Sequence, residues 1–453
     1  MKKLKALKRV ENQQRFEALR EEYKTFTFCS QEVSLSEGEL SMSFLFSLDD
    51  RYYFRPSIRI PSRPFYHWES IPKAQLDTLA FHIGMVELVS YWKLACPPLV
   101  VVKPFDLKLC QKKWWRNLYY NGLGEFRYLN GIDCEERDFL KIESGTDREF
   151  SRVELPLEEK AMVPVGGGKD SVVTLELLRK EMGVIPMIMN PRGATKSCVE
   201  AAGYSMDEVA VVNRTLDPLM IQLNQEGFLN GHTPFSALLA YVTLLLGFGS
   251  GSKYIALSNE SSANESTVPG TNINHQYSKS VQFERDFRTY VAQHLSEEIQ
   301  YFSFLRPLNE MQIAWFFSQF ERYHEVFRSC NAGSKTDSWC GKCPKCLFTW
   351  IILSPFLSRE RLTAIFGKDL MADPALTPFF EELNGTSAVK PFECVGTVEE
   401  VRTCVDAMRD RKGTIAEVSP KADATVEEIL RRFNDEHFLP SRFVDILKTR
   451  LHV

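Results

Sequence analysis

The sequence has almost no excess of charge: 55 Lys and Arg against 59 Asp and Glu leave a net −4 over 453 residues. With a pI near 6.2, it gives no electrostatic case for nucleic acid as the main partner. Long apolar runs are also missing. The longest, residues 235–248, is too short to span a bilayer comfortably and reads as a buried helix, so no membrane partner is expected. Residues 1–24 contain no secretory apolar segment; they are charged and helix-forming, which fits a solvated helix better than an anchor. Eleven cysteines without such a signal point to reduced thiols and a cytoplasmic protein. Repeats and low-complexity tracts are absent. What is there is an ordinary globular composition, 44% apolar and 25% charged, with length for two to three domains and a large core.

The texture of the chain changes twice. Residues 1–155 are rich in aromatics and short strand-like runs such as "LSMSFLFSLDDRYYFRPSIRI", followed by the helical pattern "LDTLAFHIGMVELVSYWKLACP". Residues 117–132 read as an aromatic-lined turn region whose aromatics serve core packing rather than a site. This part is expected to be a mixed α+β N-terminal domain serving substrate recognition. Residues 156–360 alternate strand candidates ("VIPMIMN", "EVAVVN", "YIALSN") with helical segments. That alternation implies a parallel sheet covered by helices, with ligands at the carboxyl ends of its strands. Residues 361–453 form a mixed or helical tail that includes "TVEEILRRFNDE".

The stretch "MVPVGGGKDSVVTLELLR", residues 162–179, carries the main chemical signal. Residues 163–165 read as a strand end, with Pro164 at its last turn because it lacks a backbone donor. Val172, Leu175, Leu178 and Met182 then recur at helical spacing. A Gly-rich turn feeding a helix N-terminus is an anion site, since unpaired N–H groups and the positive dipole end face the ligand. Gly166, Gly167 and Gly168 allow close backbone approach, and Asp170 and Ser171 can cap the first turn. A Walker loop is excluded by Val163 and by Asp170 after the lysine; a dinucleotide fingerprint is excluded by Ser171. The order Gly-Gly-Lys-Asp-Ser after a strand resembles the PP-loop of the ATP pyrophosphatase superfamily, with Gly166 in place of its first serine. That resemblance implies an adenine nucleotide alpha hydrolase-like α/β fold and cleavage of ATP between its α and β phosphates.

"CNAGSKTDSWCGKCPKC" places Cys330, Cys340, Cys343 and Cys346 within reach of one tetrahedral metal. Structural zinc is the expected ligand, with an iron–sulfur cluster or unligated thiols as alternatives. A similar four-cysteine zinc site follows the PP-loop domain of 7-cyano-7-deazaguanine synthases. "NGHTPFSA" puts His232 before a long apolar helix, with Thr233 as N-cap and Pro234 at the first helical position. "ALSNESSANES" follows a strand directly, so Ser258, Asn259, Glu260 and Ser261 are expected at the sheet's carboxyl edge. "NINHQYSKS" adds His275, Gln276, Tyr277, Ser278 and Lys279. So dense a run of hydrogen-bonding groups is typical of a site.

Taken together, "YWKLACP", "YYNGLGEFRYLNG", the glycine loop, "NGHTPFSA", "SNESSA", "NHQYSKS", "WCGKCPKC" and "KPFECVG" resemble one family. It is the ATP-dependent UDP-N-acetylmuramoyl-L-alanyl-L-glutamate epimerases of bacterial peptidoglycan synthesis. The resemblance runs from about residue 80 to about residue 397. It implies conversion of the terminal L-glutamate of the UDP-muramoyl dipeptide to D-glutamate, with ATP cleaved to AMP and pyrophosphate. The glycine loop, Lys169 and Ser171 would hold pyrophosphate oxygens and Asp170 would orient Mg²⁺ or the phosphates, with Ser258, Asn259 and Glu260 also on the nucleotide side. Lys169, Asp170, His232, His275, Lys279 and Cys394 are the catalytic candidates, the last four by residue type only. The competing readings are another PP-loop adenylating enzyme, such as an amide or nitrile synthase on a nucleobase-like carboxylate, and a zinc-bearing ATP-sensing module. No glutaminase motif supports a nitrogen donor.

Overall fold

The structure, a computed structural model, describes residues 10–451 other than 37, 266–273, 275, 276, 334, 335, 388, 389, 409–411 and 418. Its strands are β1 (Thr25–Leu35), β2 (Glu39–Leu48), β3 (Tyr52–Phe54), β4 (Ser57–Pro61), β5 (Leu99–Val102) and β6 (Lys141–Ser144), then β7 (Glu158–Pro164), β8 (Gly183–Met189), β9 (Ala210–Thr215), β10 (Ser252–Leu257) and β11 (Gln300–Ser303). They join in one sheet of order β11-β10-β7-β8-β9-β4-β2-β1-β5-β6, with β3 attached to β2. The expected strands of the second region become β7, β8, β9 and β10 of the parallel run β11-β10-β7-β8-β9, and β11 is a strand not expected from the sequence. The antiparallel pairing of β4 with β9, Ser57 opposite Thr215, welds the N-terminal strands onto it. Pro164 is the last residue of β7, and the ladder continues through Val165 N–H donating to the Met187 carbonyl at 2.7 Å.

Side chains alternate across the parallel strands and feed two cores. Met162, Ile185, Met187, Val212 and Ile255 face one core, shared with Phe26, Phe28, Phe46, Phe81 and Tyr91 and with the helices Lys73–Trp92 and Phe235–Ser250. Residues from both sides of position 155 therefore bury their apolar surface together. Ala161, Val163, Ile188, Val211, Ala256 and Phe302 face the other, under the helices Lys169–Leu178, Glu310–Ser318 and Pro344–Leu353. The tail joins this second core: the Phe443 ring packs 4.9 Å from Tyr254 and 4.7 Å from Phe302. No helix among the described residues is long and apolar enough to cross a membrane.

Several local expectations are corrected. Residues 117–132 are not a turn region: the helix Leu109–Gly122 is followed by Gly124–Leu129, broken at Leu123. Trp115, Leu118, Tyr119 and Phe126 are buried in the first core, which overrides the loop-like Asn and Gly content. The helix after His232 begins at Phe235, one residue later than its capping pattern implies, and Pro234 is held against Gly122. A Cβ on Gly122 would lie 2.8 Å from the Pro234 ring. The helix after the glycine loop stops at Leu178 rather than reaching Met182, leaving room for the chain to turn into β8. In the tail, only Val426–Leu430 of "TVEEILRRFNDE" is helical.

Candidate active site

The glycine loop connects β7 to the helix Lys169–Leu178 at the carboxyl end of the sheet. Gly166 is exposed, with nothing within 4 Å of where its Cβ would stand. Gly167 adopts φ +81°, and a Cβ there would meet the backbone of Ala194 at 3.1 Å, so both conformation and space require glycine. Its carbonyl accepts from Arg328 N–H at 2.8 Å, tying the loop to the cysteine segment. Gly168 is the N-cap and no side chain caps the helix; Ser171 Oγ donates back to the Gly168 carbonyl at 3.0 Å. The first-turn N–H groups are thus left for an anion, as this geometry favours.

Lys169 does not point out of the loop. Its side chain is 3% exposed, and its ammonium donates to Asp170 Oδ1 and Glu310 Oε2. Burial would lower the Lys169 pKa, but the two carboxylates outweigh it and hold the lysine above its usual value. The Glu310 carboxyl is pushed up by burial and by the neighbouring Asp170 and Glu260, against the pull of Lys169. Asp170 goes the other way: burial opposes its charge, but Lys169, Lys345 and Lys279 hold it below the usual carboxylate range. Asp170, Glu260 and Glu310 offer oxygens within 4.8 Å of one another. These are the hard donors that Mg²⁺ takes, and the ammonium lodged beside them fits a pocket that attracts cations.

Glu260 follows β10, as expected for the sheet's carboxyl edge. Among the described residues Ser258 Oγ is buried without a hydrogen bond, Asn259 donates to Ser303 Oγ at 2.9 Å, and Ser262 donates to Glu260 Oε1 at 3.0 Å. Fully buried Arg306 stitches this edge together: it donates to the Glu260 carbonyl at 2.6 Å, to the Lys279 carbonyl and to Glu284. Lys279 in turn donates to Cys394 Sγ at 3.0 Å, and Lys345 reaches the Cys394 carbonyl. Burial would lower the Lys279 pKa, but Cys394 and Glu260 raise it above its usual value. His275 and Gln276 lie outside the described residues.

The four cysteines converge as their spacing implies. Cys330 and Cys343 sulfurs are 3.8 Å apart, Cys340 and Cys346 3.7 Å, and Cys343 and Cys346 3.4 Å. A tetrahedral zinc with Zn–S of about 2.3 Å separates its sulfurs by about 3.8 Å. The cluster can hold zinc, and all but Cys340 are buried.

His232 belongs to a third group. Its Nδ1 is 3.5 Å from Glu125 Oε2, and the Glu125 side chain is 6% exposed. Lys93 donates to Asn230 Oδ1 at 3.3 Å and to the Gly231 carbonyl, and burial lowers its pKa to about 8. Lys93, Glu125, Arg306, Glu310 and Lys345 were not among the residues expected from the sequence. Arg306 and Glu310 had one usable signal: they are charges inside the otherwise apolar run "YFSFLRPLNEMQIAWFF". Lys93 and Glu125 stand within segments that carry the family resemblance, but nothing in their spacing pairs them with residue 232.

This arrangement can bind a polyanion at the loop and move protons beside it. Comparison with known proteins decides which family uses it. Residues 17–304 match the model of the MurL N-terminal domain and residues 326–433 that of the MurL C-terminal domain. The chain belongs to the MurL epimerase family. Relatives named UDP-N-acetyl-alpha-D-muramoyl-L-alanyl-L-glutamate epimerase come from three bacteria. That of Xanthomonas oryzae pv. oryzae is 31% identical over 92% of this chain and 95% of its own length. That of Salinispora tropica is 33% identical over 93% and 95%. That of a Micromonospora species is 35% identical over 83% and 84%. The MurL matches take in the glycine loop, the Glu260 edge, the cysteines and Cys394.

Proposed function

We propose that this chain epimerises the terminal L-glutamate of UDP-N-acetylmuramoyl-L-alanyl-L-glutamate to D-glutamate through an acyl-adenylate, cleaving ATP to AMP and pyrophosphate. The names of its relatives supply the substrate class. The single observation that carries the ATP part is the uncapped helix N-terminus behind Gly166, Gly167 and Gly168, with Lys169, Asp170, Glu260 and Glu310 beside it.

A Cα–H next to a carboxylate is a very weak acid, because deprotonation would add a second negative charge to the same group. Adenylation removes the carboxylate's charge and lets the resulting enolate delocalise. In this reading the loop N–H groups and Ser171 grip pyrophosphate oxygens. Asp170, Glu260 and Glu310 would hold Mg²⁺, which when bound offsets phosphate charge and fixes its geometry. Lys169, released from its carboxylates, would meet the phosphate oxygens. The four-cysteine cluster would bind zinc structurally, bracing the loop through the Arg328–Gly167 hydrogen bond. Water then hydrolyses the adenylate and frees the D-epimer.

The test is incubation with the L-epimer, ATP and Mg²⁺ in deuterated water. Each D-glutamate formed should carry one solvent deuterium at Cα, with AMP and pyrophosphate in comparable amount and no added amine. Label incorporation without ATP would overturn the reading, as would ATP cleavage that requires an amine with configuration retained.

A further inference from the structure

Inversion at Cα needs a proton removed from one face and another delivered to the opposite face. Two side-chain pairs on separate loops carry groups of the type that can do this. One is His232 with Glu125, at 3.5 Å; the other is Cys394 with Lys279, at 3.0 Å. Both loops converge on residues 124–130. Asn130 Nδ2 donates to the Asn230 carbonyl at 3.0 Å, and Gly231 packs so closely on Phe126 that a Cβ would lie 2.9 Å from its ring. From the second loop, Phe392, two residues before Cys394, packs on Tyr128 with ring centroids 5.4 Å apart. Glu125 and Tyr128 are three apart on the helix Gly124–Leu129, hence neighbours on its surface. One short helix therefore carries the partner of the first pair and the support of the second.

The Cys394 pair also adjoins the nucleotide side. Arg306 binds both the Lys279 and Glu260 carbonyls, and Lys345 binds the Cys394 carbonyl. A carboxylate activated there has its Cα one bond further on. Lys279 itself is a poor proton acceptor, because its ammonium is held by the Cys394 sulfur and nearby Glu260.

Resting on the function proposed above, we infer that Cys394 and His232 are the two proton-transfer groups at the glutamyl Cα, on opposite faces, with Lys279 and Glu125 as positioning residues. One group takes the Cα proton as the C–H electron pair moves into the enolate of the acyl-adenylate. The other, protonated beforehand, gives its proton to the opposite face of Cα. Water cleaves the acyl–phosphate bond, AMP leaves, and solvent exchange resets both groups. The balance requires no redox partner.

The experiment uses the full-length protein with the L-epimer, ATP and Mg²⁺ in deuterated water, comparing Cys394→Ser and His232→Asn with wild type. A rise in melting temperature on adding ATP and Mg²⁺ verifies that each variant is folded; Cys394→Ala and His232→Gln are the second choices. Epimerisation should fall at least about 100-fold in both, the scale of general acid–base catalysis. Their labelling should differ. The variant lacking the acid returns deuterated L-epimer, whereas the variant lacking the base leaves L-epimer unlabelled. Epimerisation within about tenfold of wild type in either variant, or one labelling pattern in both, overturns the inference. If wild type itself shows no ATP-dependent label, the proposed function fails first. Lys279→Met should slow alkylation of Cys394 by iodoacetamide at about pH 7, since the thiolate loses its counter-ion while Lys345 stays on the backbone carbonyl. Glu125→Gln should shift the histidine limb of the pH–rate profile to lower pH, with Lys93, bonded to the Gly231 carbonyl, as the other charge beside the pair. Unchanged reactivity and profile overturn the positioning roles.

Discussion

Two polar clusters lie against the second core and are built in opposite ways. Cys330, Cys340, Cys343 and Cys346 come from one short stretch, brought together by local turns. Asp170, Glu260 and Glu310 come from segments that follow three different strands, β7, β10 and β11, and are brought together only by the parallel sheet. The first collects four thiols that can share one metal. The second already contains its counter-charge, Lys169. The clusters are also linked, through Arg328 on Gly167 and Lys345 on the Cys394 carbonyl. The difference teaches that the cysteine cluster suits the fold and its loop, whereas the carboxylate cluster suits a ligand.

The largest expected effect breaks the first cluster. Cys343 is the N-cap of the helix Pro344–Leu353, its sulfur accepting from Cys346 N–H at 3.4 Å. Purified protein should carry about one zinc per chain, and Cys343→Ser should lose metal and solubility together. Structural zinc contributes on the order of 10 kcal/mol or more in small isolated sites. A melting curve indifferent to metal removal would erase the contrast between the two clusters.

Glu310→Gln tests whether the second cluster has internal charge balance. It leaves the buried Lys169 ammonium with one carboxylate instead of two, and removing one partner of a buried pair costs about 3–5 kcal/mol. Denaturant unfolding should show that loss, and Mg²⁺ with ATP should recover less of it than in wild type. A neutral effect would mean that Asp170 alone balances the lysine.

A third measurement separates the clusters from the acid sensitivity of the first core. His82 is fully buried there, with Nδ1 on the Thr78 carbonyl at 2.7 Å and Nε2 on Tyr290 at 3.0 Å. Burial lowers its pKa from 6.5 to about 3. The unfolded chain then binds the proton first, so the stability this group contributes is complete above pH 6.5 and is lost as pH falls toward 3. Over the first one and a half pH units below that upper limit the loss is about 2 kcal/mol, at about 1.4 kcal/mol per unit. His82→Gln should flatten that slope in melting curves, leaving metal content unchanged.

Asp170→Asn has the smallest expected effect on stability and a large one on activity. The change also takes one carboxylate from Lys169, but Asp170 is the most exposed of the three carboxylates, so solvent offsets more of that loss than at Glu310. Melting should fall by less than in Glu310→Gln, while pyrophosphate release falls about 100-fold, as for loss of a group that organises transition-state charge. Near-normal turnover would assign the residue to the helix start alone.

Local patterns are legible wherever the determining contacts are close in sequence. The glycine loop, the four cysteines, the strands β7 to β10 and the helix Phe235–Ser250 stand where spacing places them, because turns, periodicity and thiol spacing are local properties. Residues 117–132 depart from expectation because their helices are stabilised by aromatic burial, which outweighs local propensity. By itself, then, the sequence determined a glycine-rich loop before a helix, a four-thiol centre and a parallel-strand region. Only the tertiary structure decided that Lys169 turns inward to Glu310, that Arg306 joins Glu260 to Lys279, and that Glu125 meets His232. Those partners lie far apart along the chain, and a charge in a sequence does not reveal its partner until the sheet brings the strand ends together.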